Sequence, residues 1–250
     1  MQKLSDAQQV WNFLFGRRPL FHWPWNENEL FSKKILETFG PTHKLKLGHQ
    51  FEALAQAALI PGLTHYSNLQ VQGEGRTLGE FDLLAQINQR WNHVEMCCKF
   101  YLHHDGQWLG PNTRDRLDLK WKKLTEKQLK LTELPEAKAL LNSLQIEEVP
   151  QGQIFSRGFL YREAGSVARL PTYVSINHPL GVWYQHQNFP WSDMEETYVW
   201  KKEEWLQAQP YDKKIFTKND QLNRATRVYF RRMGQKDFEE AFIVPNDWPK

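Results

Sequence analysis

Two neighbouring stretches near the middle of the chain alternate between polar and apolar residues, which predicts two β-strands. The first runs from Gly79 to Ile87 and the second from Trp91 to Tyr101. Alternate residues of a strand point to opposite faces of a sheet, so the charged residues should share one face and the apolar residues the other. The predicted polar face carries Glu80, Asp82, Glu95, Cys97 and Lys99, and the predicted apolar face carries Phe81, Leu83, Ala85, Ile87, Val94, Met96, Cys98 and Phe100.

The loop length sets which charged residues meet across this hairpin. An even loop, either Asn88–Gln89 or Ile87–Arg90, places Asp82 opposite Glu95, whereas an odd loop turns Glu95 toward the apolar face. Opposed residues of an antiparallel pair have Cβ atoms about 4.5–5.5 Å apart, and like charges there are destabilising unless something compensates them. Two carboxylates beside Lys99 therefore predict a site for a hard cation such as Mg²⁺, which prefers oxygen ligands.

An apolar stripe at helical spacing predicts a helix before the hairpin, over Lys46–Ile60, and Pro61-Gly62 ends it. Glu52 lies at the edge of this stripe on a 3.6-residue wheel. Carboxylates seldom face a packed surface without a partner. Glu52 is thus expected either to point at a metal or a lysine in the sheet, or to reach solvent from the edge of the helix.

A lysine-rich helix is predicted after the hairpin, capped by Asn112 or Thr113 and ending near Leu131. Seven basic residues decorate it, against three acidic ones. A basic helix beside an acidic metal site would suit a phosphate backbone. A solvated lysine-rich face explains the same pattern without any ligand.

The hairpin residues resemble the core of the PD-(D/E)XK nucleases. The resemblance rests on Gly79-Glu80-Phe81-Asp82, a short loop, and Val94-Glu95 with Lys99 four residues after the glutamate. More narrowly, the segment from Leu47 to about Leu131 resembles an uncharacterised bacterial family assigned by similarity to that superfamily. The resemblance implies a mixed sheet flanked by helices with an acidic residue on the first helix, a position that Glu52 occupies.

That resemblance also implies Mg²⁺- or Mn²⁺-dependent hydrolysis of phosphodiester bonds, with DNA as the expected substrate. In this scheme Asp82 and Glu95 ligate the metal, and Glu52 holds a second metal or its water shell. Lys99 orients the attacking water and stabilises developing negative charge. The superfamily usually spaces its last motif as Glu-x-Lys, whereas this chain has Cys97 in that position. Lys99 lies on the same strand face, roughly 6.6 Å further along at about 3.3 Å per residue.

Two other interpretations fit the same residues. The shifted lysine favours a non-catalytic relative that keeps the nuclease fold and binds nucleic acid or a protein partner. The third interpretation is a structural module unrelated to nucleases, in which the alternating charges form a solvated sheet face.

A three-part organisation is predicted: an N-terminal helical segment over 1–45, a nuclease-like core over 46–145 and a β-rich region over 146–250. The expected fold class is α/β, a mixed sheet flanked by helices (a restriction-endonuclease-like core) with a β-rich C-terminal extension. Further helices are predicted near Ser5–Phe15, Asn26–Phe39 and Ser192–Leu206, and further strands over Tyr66–Gln72, Gln153–Arg162, Thr172–Ile176, Gly181–His186, Ala225–Met233 and Ala241–Val244.

Composition and charge indicate where the protein is located more than which reaction it performs. The 250-residue chain has a net charge of +3, which permits nucleic-acid binding without requiring it. No apolar run approaches the roughly 18 residues of a membrane span, and Asp6 with Gln8-Gln9 interrupts the stretch that a signal peptide would need. The adjacent Cys97 and Cys98 point to opposite strand faces and suit a disulfide poorly, which favours a reducing, cytoplasmic location. The sequence has no zinc, Walker or dinucleotide motif.

Overall fold

A computed structural model describes residues 12, 15, 18–22, 30–32, 46–207, 209–210 and 214–250. The helices predicted near Ser5–Phe15 and Asn26–Phe39 lie outside the described residues, apart from isolated positions. The described chain is a mixed α/β structure with one large mixed sheet and few helices. No helix in the described part is long and apolar enough to cross a membrane.

The described residues form three α-helices and nine strands. The helices are α1 (Leu47–Ala57), α2 (Leu117–Lys123) and α3 (Pro135–Ser143). A π-helical turn, Leu124–Gln128, continues α2 directly. The strands are β1 (His65–Gly73), β2 (Arg76–Ile87), β3 (Arg90–His104), β4 (Gln107–Leu109), β5 (Gln151–Glu163), β6 (Leu180–Gln185), β7 (Met194–Val199), β8 (Thr226–Arg232) and β9 (Glu239–Val244).

The nine strands form a single sheet with a parallel centre and antiparallel margins. The strand order is β1-β2-β3-β5-β6-β9-β8-β7, and β4 pairs with β3 at the side of this path. Strands β3, β5, β6 and β9 run parallel to one another, whereas β1-β2-β3 and β9-β8-β7 are antiparallel. The predicted core and the β-rich region therefore contribute to one continuous sheet.

Both faces of β3 are covered, as is typical of a strand in a parallel centre. On one face Met96 and Phe100 pack in the same cluster as Phe51 of α1. On the other face Cys97 and Tyr101 pack in a cluster that includes α2 and the turn after it. The alternation predicted for β3 is confirmed, and the face that carries Glu95 lies under protein.

The alternation predicted for β2 is wrong at Phe81. Leu83 and Ala85 pack in the cluster on the α1 side, as expected, but Phe81 packs with Leu84 in a different cluster. The strand therefore changes its facing pattern between Phe81 and Leu83. Asp82 lies at that point.

Most predicted elements are confirmed, including the helix before the hairpin and the strand over Tyr66–Gln72. The predicted helix over Ser192–Leu206 is wrong, because its middle forms β7 and pairs with β8. The β-branched and aromatic run Thr197-Tyr198-Val199 fits a half-buried strand and outweighs the local helical signal. The predicted strand over Thr172–Ile176 makes only an isolated bridge, from Val174 to Phe21.

The predicted cap of the basic helix is also wrong. The helix begins at Leu117, after an extended Arg116, and no side chain caps it. Asn112 instead accepts a hydrogen bond from the Arg114 N–H, and Thr113 donates one to the Lys250 carbonyl. Local turn and tail contacts therefore use the polar side chains that the sequence offers as caps.

Candidate functional site

The hairpin between β2 and β3 has the register predicted from the even loop. Ile87 pairs with Arg90 and Leu83 pairs with Val94. Asn88 and Gln89 both have positive φ, at 51° and 62°, as a tight two-residue hairpin turn requires. The paired ladder ends at Leu83, so the next residue, Asp82, comes level with Glu95.

Asp82 is not part of the backbone hydrogen-bond ladder between β2 and β3. Its side chain accepts a hydrogen bond that a backbone carbonyl would accept in a regular strand pair. Its Oδ2 accepts a hydrogen bond of 2.7 Å from the Met96 N–H. On the other side, Asn68 of β1 has a φ of 53°. The sheet is thus irregular on both sides of Asp82, and its carboxylate is held between β2 and β3.

Helix α1 reaches the same irregular point. The Gln56 side-chain amide donates to Asn68 Oδ1 at 2.7 Å and to the Asp82 carbonyl at 3.5 Å. Glu52 precedes Gln56 by one helical turn and therefore lies on the same side of the helix. Of the two interpretations of Glu52, this geometry favours a side chain directed at the sheet.

Glu95 is fully buried, so the expectation of a solvated polar face is wrong at this position. His93 Nε2 lies 2.8 Å from Glu95 Oε1, and the Gln128 side-chain amide donates to Glu95 Oε2. Gln128 ends the π-helical turn after α2, and Lys120 of α2 donates to Gln128 Oε1 at 3.2 Å. Helix α2 thus connects a lysine to the buried carboxylate through one amide.

The carboxyl groups of Glu52, Asp82 and Glu95 lie close enough to oppose one another's ionisation. Burial and then the Glu95 charge are the main causes that raise the pKa of Asp82 to about 8, while the Met96 N–H works in the opposite direction. Burial also raises the pKa of Glu52, which His49 lowers in part. Lys120 lowers the pKa of both carboxyl groups. The site is therefore one in which an added cation would relieve repulsion.

Lys99 does not join these carboxylates in the structure. Its Nζ donates to Asp115 Oδ2 at 2.6 Å, and the Tyr101 hydroxyl donates to Asp115 Oδ1 at 3.3 Å. Lys99 lines a cavity of about 440 Å³, whereas Asp82 lines a different cavity of about 850 Å³. The structure thus brings Glu52, Asp82 and Glu95 into one electrostatic cluster and pairs Lys99 elsewhere.

Cys97 occupies the position in which the superfamily usually has lysine, and its thiol is buried and unreactive. Burial raises the pKa of Cys97 to about 11, so its thiol stays protonated at neutral pH. The helical spacing places Gln128 in the buried stripe of the basic helix and Lys120 among its basic residues, but it connects neither of them with the carboxylates. Gln128 lies 33 residues from Glu95 in the sequence, so no local pattern predicts their hydrogen bond.

A ready-made metal cage is absent from the described residues. Among them, no group of three or more His, Cys, Asp or Glu side chains is arranged to hold a metal ion. Asp82 and Glu95 are the two carboxylates that the end of the β2-β3 ladder brings level with each other. Any ion bound here would thus take only part of its coordination shell from the protein.

Comparison with known proteins adds a family and no activity. No curated protein and no solved structure matches the chain. The model of one family, described as Domain of unknown function (DUF1853), matches residues 18–243, which is most of the chain. The protein therefore belongs to the DUF1853 family, whose function its description leaves open.

Proposed function

We propose that the protein is a metal-dependent nuclease that hydrolyses phosphodiester bonds of DNA on a restriction-endonuclease-like, PD-(D/E)XK core. One observation carries the proposal: Asp82 leaves the strand ladder directly beside the fully buried Glu95. Burying two carboxylates side by side is costly unless a charge partner is gained. The mixed sheet, with α1 on one face and α2 on the other, supports the same core.

Asp82 and Glu95 fit Mg²⁺ or Mn²⁺ as a partial ligand set. Mg²⁺ commonly keeps several waters and binds proteins through one or two carboxylates together with substrate phosphates. Each Glu95 oxygen accepts one hydrogen bond and retains a second lone pair for a metal. Glu52 would hold the water shell or a second ion from α1. The bound ion would polarise a phosphoryl oxygen and lower the pKa of its water.

The surrounding residues position the carboxylates and supply positive charge. His93 and Gln128 fix the two oxygens of Glu95, which limits the orientations that the carboxylate can adopt. Lys120 is the lysine whose charge lowers the pKa of both Glu52 and Asp82. A cation so placed would stabilise negative charge developing on a phosphoryl group. Lys99 is the alternative cation, and it would first have to leave Asp115.

The cavity at Asp82 provides room for a nucleic-acid strand. It has a volume of about 850 Å³ and extends from Gly79 to the basic segment that carries Lys123, Lys127 and Lys130. Lysines along one wall can contact phosphates, and Asp82 lines the same cavity, with Gln128 beside it as the link to the buried Glu95. This arrangement supports phosphodiesters as the substrate class.

A second candidate function is that of a non-catalytic member of the same fold that binds nucleic acid or a protein partner. The observation that favours it is the pairing of Lys99 with Asp115, together with the buried thiol of Cys97 in the usual lysine position. In that case the acidic cluster would be a remnant, and the basic segment would still bind phosphates.

A cleavage assay separates the two candidates. Single-stranded and duplex DNA are incubated with the wild-type protein, Asp82→Asn and Asp105→Asn, each with Mg²⁺, Mn²⁺ or a chelator. Asp105 lies in the β3-β4 turn with a side chain that is 91% exposed, so its variant is the matched control. We expect metal-dependent cleavage by the wild type and the control and none by Asp82→Asn. Absence of cleavage of both forms of DNA by the wild type with either metal would contradict the nuclease.

A further inference from the structure

A second cavity lies beside Lys99 of β3, and none of the three carboxylates lines it. Its volume is about 440 Å³, within the range of small-ligand pockets. The start of α1 at Lys46 and the short 3₁₀ turn that begins at Lys202 form two of its walls. Phe100 and Trp205 contribute apolar walls. The cavity therefore combines an apolar surface with charged groups from four separate parts of the chain.

Positive charge is in excess around this cavity. Its cations are Lys46, Lys99 and Lys202, and its anions are Asp115 and Glu203. Asp115 is already bound to Lys99. Within the described part of the chain, neither Lys46 nor Lys202 forms an ion pair. The two lysines thus present charge to the cavity that the described side chains leave uncompensated.

The positive region extends past the cavity itself. A smaller cavity of about 120 Å³ shares Asn112, Lys202 and Trp205 with the first and adds the exposed Arg224. A ligand with several spaced negative charges would meet this surface better than a single small anion, because the cations are spread over both cavities.

The cavity also adjoins the acidic cluster. Gly48 lines it, and a Cβ atom at Gly48 would lie only 3.9 Å from Glu52 Oε1. Lys99 follows Glu95 by four residues on β3, or about 13 Å along the strand. A strand with one phosphate at the carboxylates would therefore have neighbouring phosphates within reach of this surface.

We propose that the cavity bounded by Lys46, Lys99 and Lys202 is a phosphate subsite for the nucleic-acid strand on one side of the cleaved bond. This inference rests on the proposed function for the position of that bond. Lys46 and Lys202 contact backbone phosphates directly. Lys99 exchanges Asp115 for a phosphate when the strand enters. The base-facing side of the strand lies toward the apolar walls, and no base is specified.

Salt-dependent binding tests the subsite without any cleavage. A fluorescently labelled single-stranded 12-nucleotide DNA is titrated with protein in a chelator at several NaCl concentrations. The test variant is Lys46→Gln/Lys202→Gln. The control is Lys138→Gln/Lys218→Gln, which removes the same charge from exposed positions that line neither cavity. The slope of log K against log [salt] is negative, and each lost phosphate contact reduces its magnitude by about 0.7 for a single strand.

We expect the magnitude of the slope to decrease by about 1.4 in the test variant and to stay at the wild-type value in the control. Equal slopes for both variants, or no DNA binding by the wild type at low salt, would overturn the subsite. The subsite would also be overturned if pyrophosphate displaced the DNA while the slope of the test variant stayed at the wild-type value, because the cavity would then bind a free anion. If the slope changes in the test variant but the wild type cleaves nothing, the subsite is upheld and the nuclease is rejected. If the wild type cleaves DNA but the slope does not change, the nuclease is upheld and the subsite is rejected.

Discussion

Two of the regions in which the described chain buries charge stabilise that charge in opposite ways. In the β8-β9 region the fully buried Arg227 donates to the Glu240 carboxylate and, at 2.7 Å, to the Trp205 carbonyl. Its guanidinium carbon lies 4.0 Å from the centre of the Trp200 ring. At the end of the β2-β3 ladder, by contrast, Asp82 and Glu95 bring like charges together.

The pKa values express this difference. Burial is the largest influence on the pKa of Arg227 and lowers it, but Glu240 and Tyr161 together more than offset this, and the pKa ends above its usual value. The pKa of Asp82 rises because burial and the Glu95 charge both oppose ionisation. The first region is stabilised by its own protein partners, whereas the second is poised to gain from an added cation. Removing a charge should therefore have opposite effects on the two regions.

The largest effect is expected from Arg227→Met. This change leaves the Glu240 carboxylate without its buried partner and should lower the free energy of unfolding by about 3–5 kcal/mol. Urea unfolding at neutral pH measures it. Arg232→Met is the matched control, because Arg232 pairs with Glu239 at a more exposed position and should cost under about 1 kcal/mol. Equal losses for the two variants would remove the contrast between the regions.

The next largest effect concerns which lysine serves the carboxylates. If the protein cleaves DNA, Lys120→Met should lower kcat by about 10²–10³, the usual cost of a lost donor to developing negative charge. Single-turnover rates at saturating Mn²⁺ measure this loss. Lys99→Met is the comparison, because Lys99 is bound to Asp115. A larger loss for Lys99→Met would reassign the catalytic cation to the residue that the sequence predicts.

A smaller effect of opposite sign to Arg227 is expected from Asp82→Asn. The pKa of Asp82 is about 8 in the folded protein against a usual 3.8, so the folded state holds this proton more tightly than the unfolded chain. The stabilisation of the folded state by this bound proton is fully present below about pH 4 and is lost as the pH rises through about 8. In a chelator, Asp82→Asn should therefore exceed the wild type by about 1–3 kcal/mol at pH 9 and match it at pH 4.

Urea unfolding across this pH range measures the difference, with Asp105→Asn as the control. Asparagine keeps an oxygen that can accept the Met96 N–H bond, so the local hydrogen bond survives the change. A difference between variant and wild type that stays constant with pH would show that Asp82 is not strained by its neighbours.

The smallest effect is expected from Glu52→Gln. Glu52 is only half-buried, so its removal should raise the free energy of unfolding by less than about 1 kcal/mol. The Glu52 charge raises the pKa of Asp82, so its removal should lower that pKa. The stability that the wild type loses as the pH rises should therefore be lost at a lower pH in Glu52→Gln. Stability measured from pH 5 to 9 tests this shift, and the exposed Glu147→Gln is the control. The same shift in the control would assign the effect to net charge alone.

The hairpin could be predicted from the sequence because its signals are local. The two-residue turn and the register that it sets are confirmed, and the period of two holds along β3 and from Leu83 to Ile87 of β2. Helix α1 follows from its apolar stripe in the same way. These features lie within one or two elements, so the pattern contains the necessary information.

The site around the hairpin depends on contacts that no local pattern contains. Gln128 reaches Glu95 across 33 residues of sequence, from a π-helical turn. The partner of Lys99 comes from the loop before α2, where Asp115 is neither in a strand nor in the helix. Strand β7 likewise forms through pairing with β8. In each case tertiary contact decides among local alternatives that the sequence leaves open.

A calorimetric titration with Mn²⁺ tests whether Asp82 and Glu95 bind a metal ion, and it needs no knowledge of the right substrate. Wild type, Asp82→Asn and Asp105→Asn are titrated at pH 8.5, where Asp82 is largely ionised. We expect binding by the wild type and the control and no binding by Asp82→Asn. Equal titration curves for all three proteins would contradict a metal site at Asp82 and Glu95.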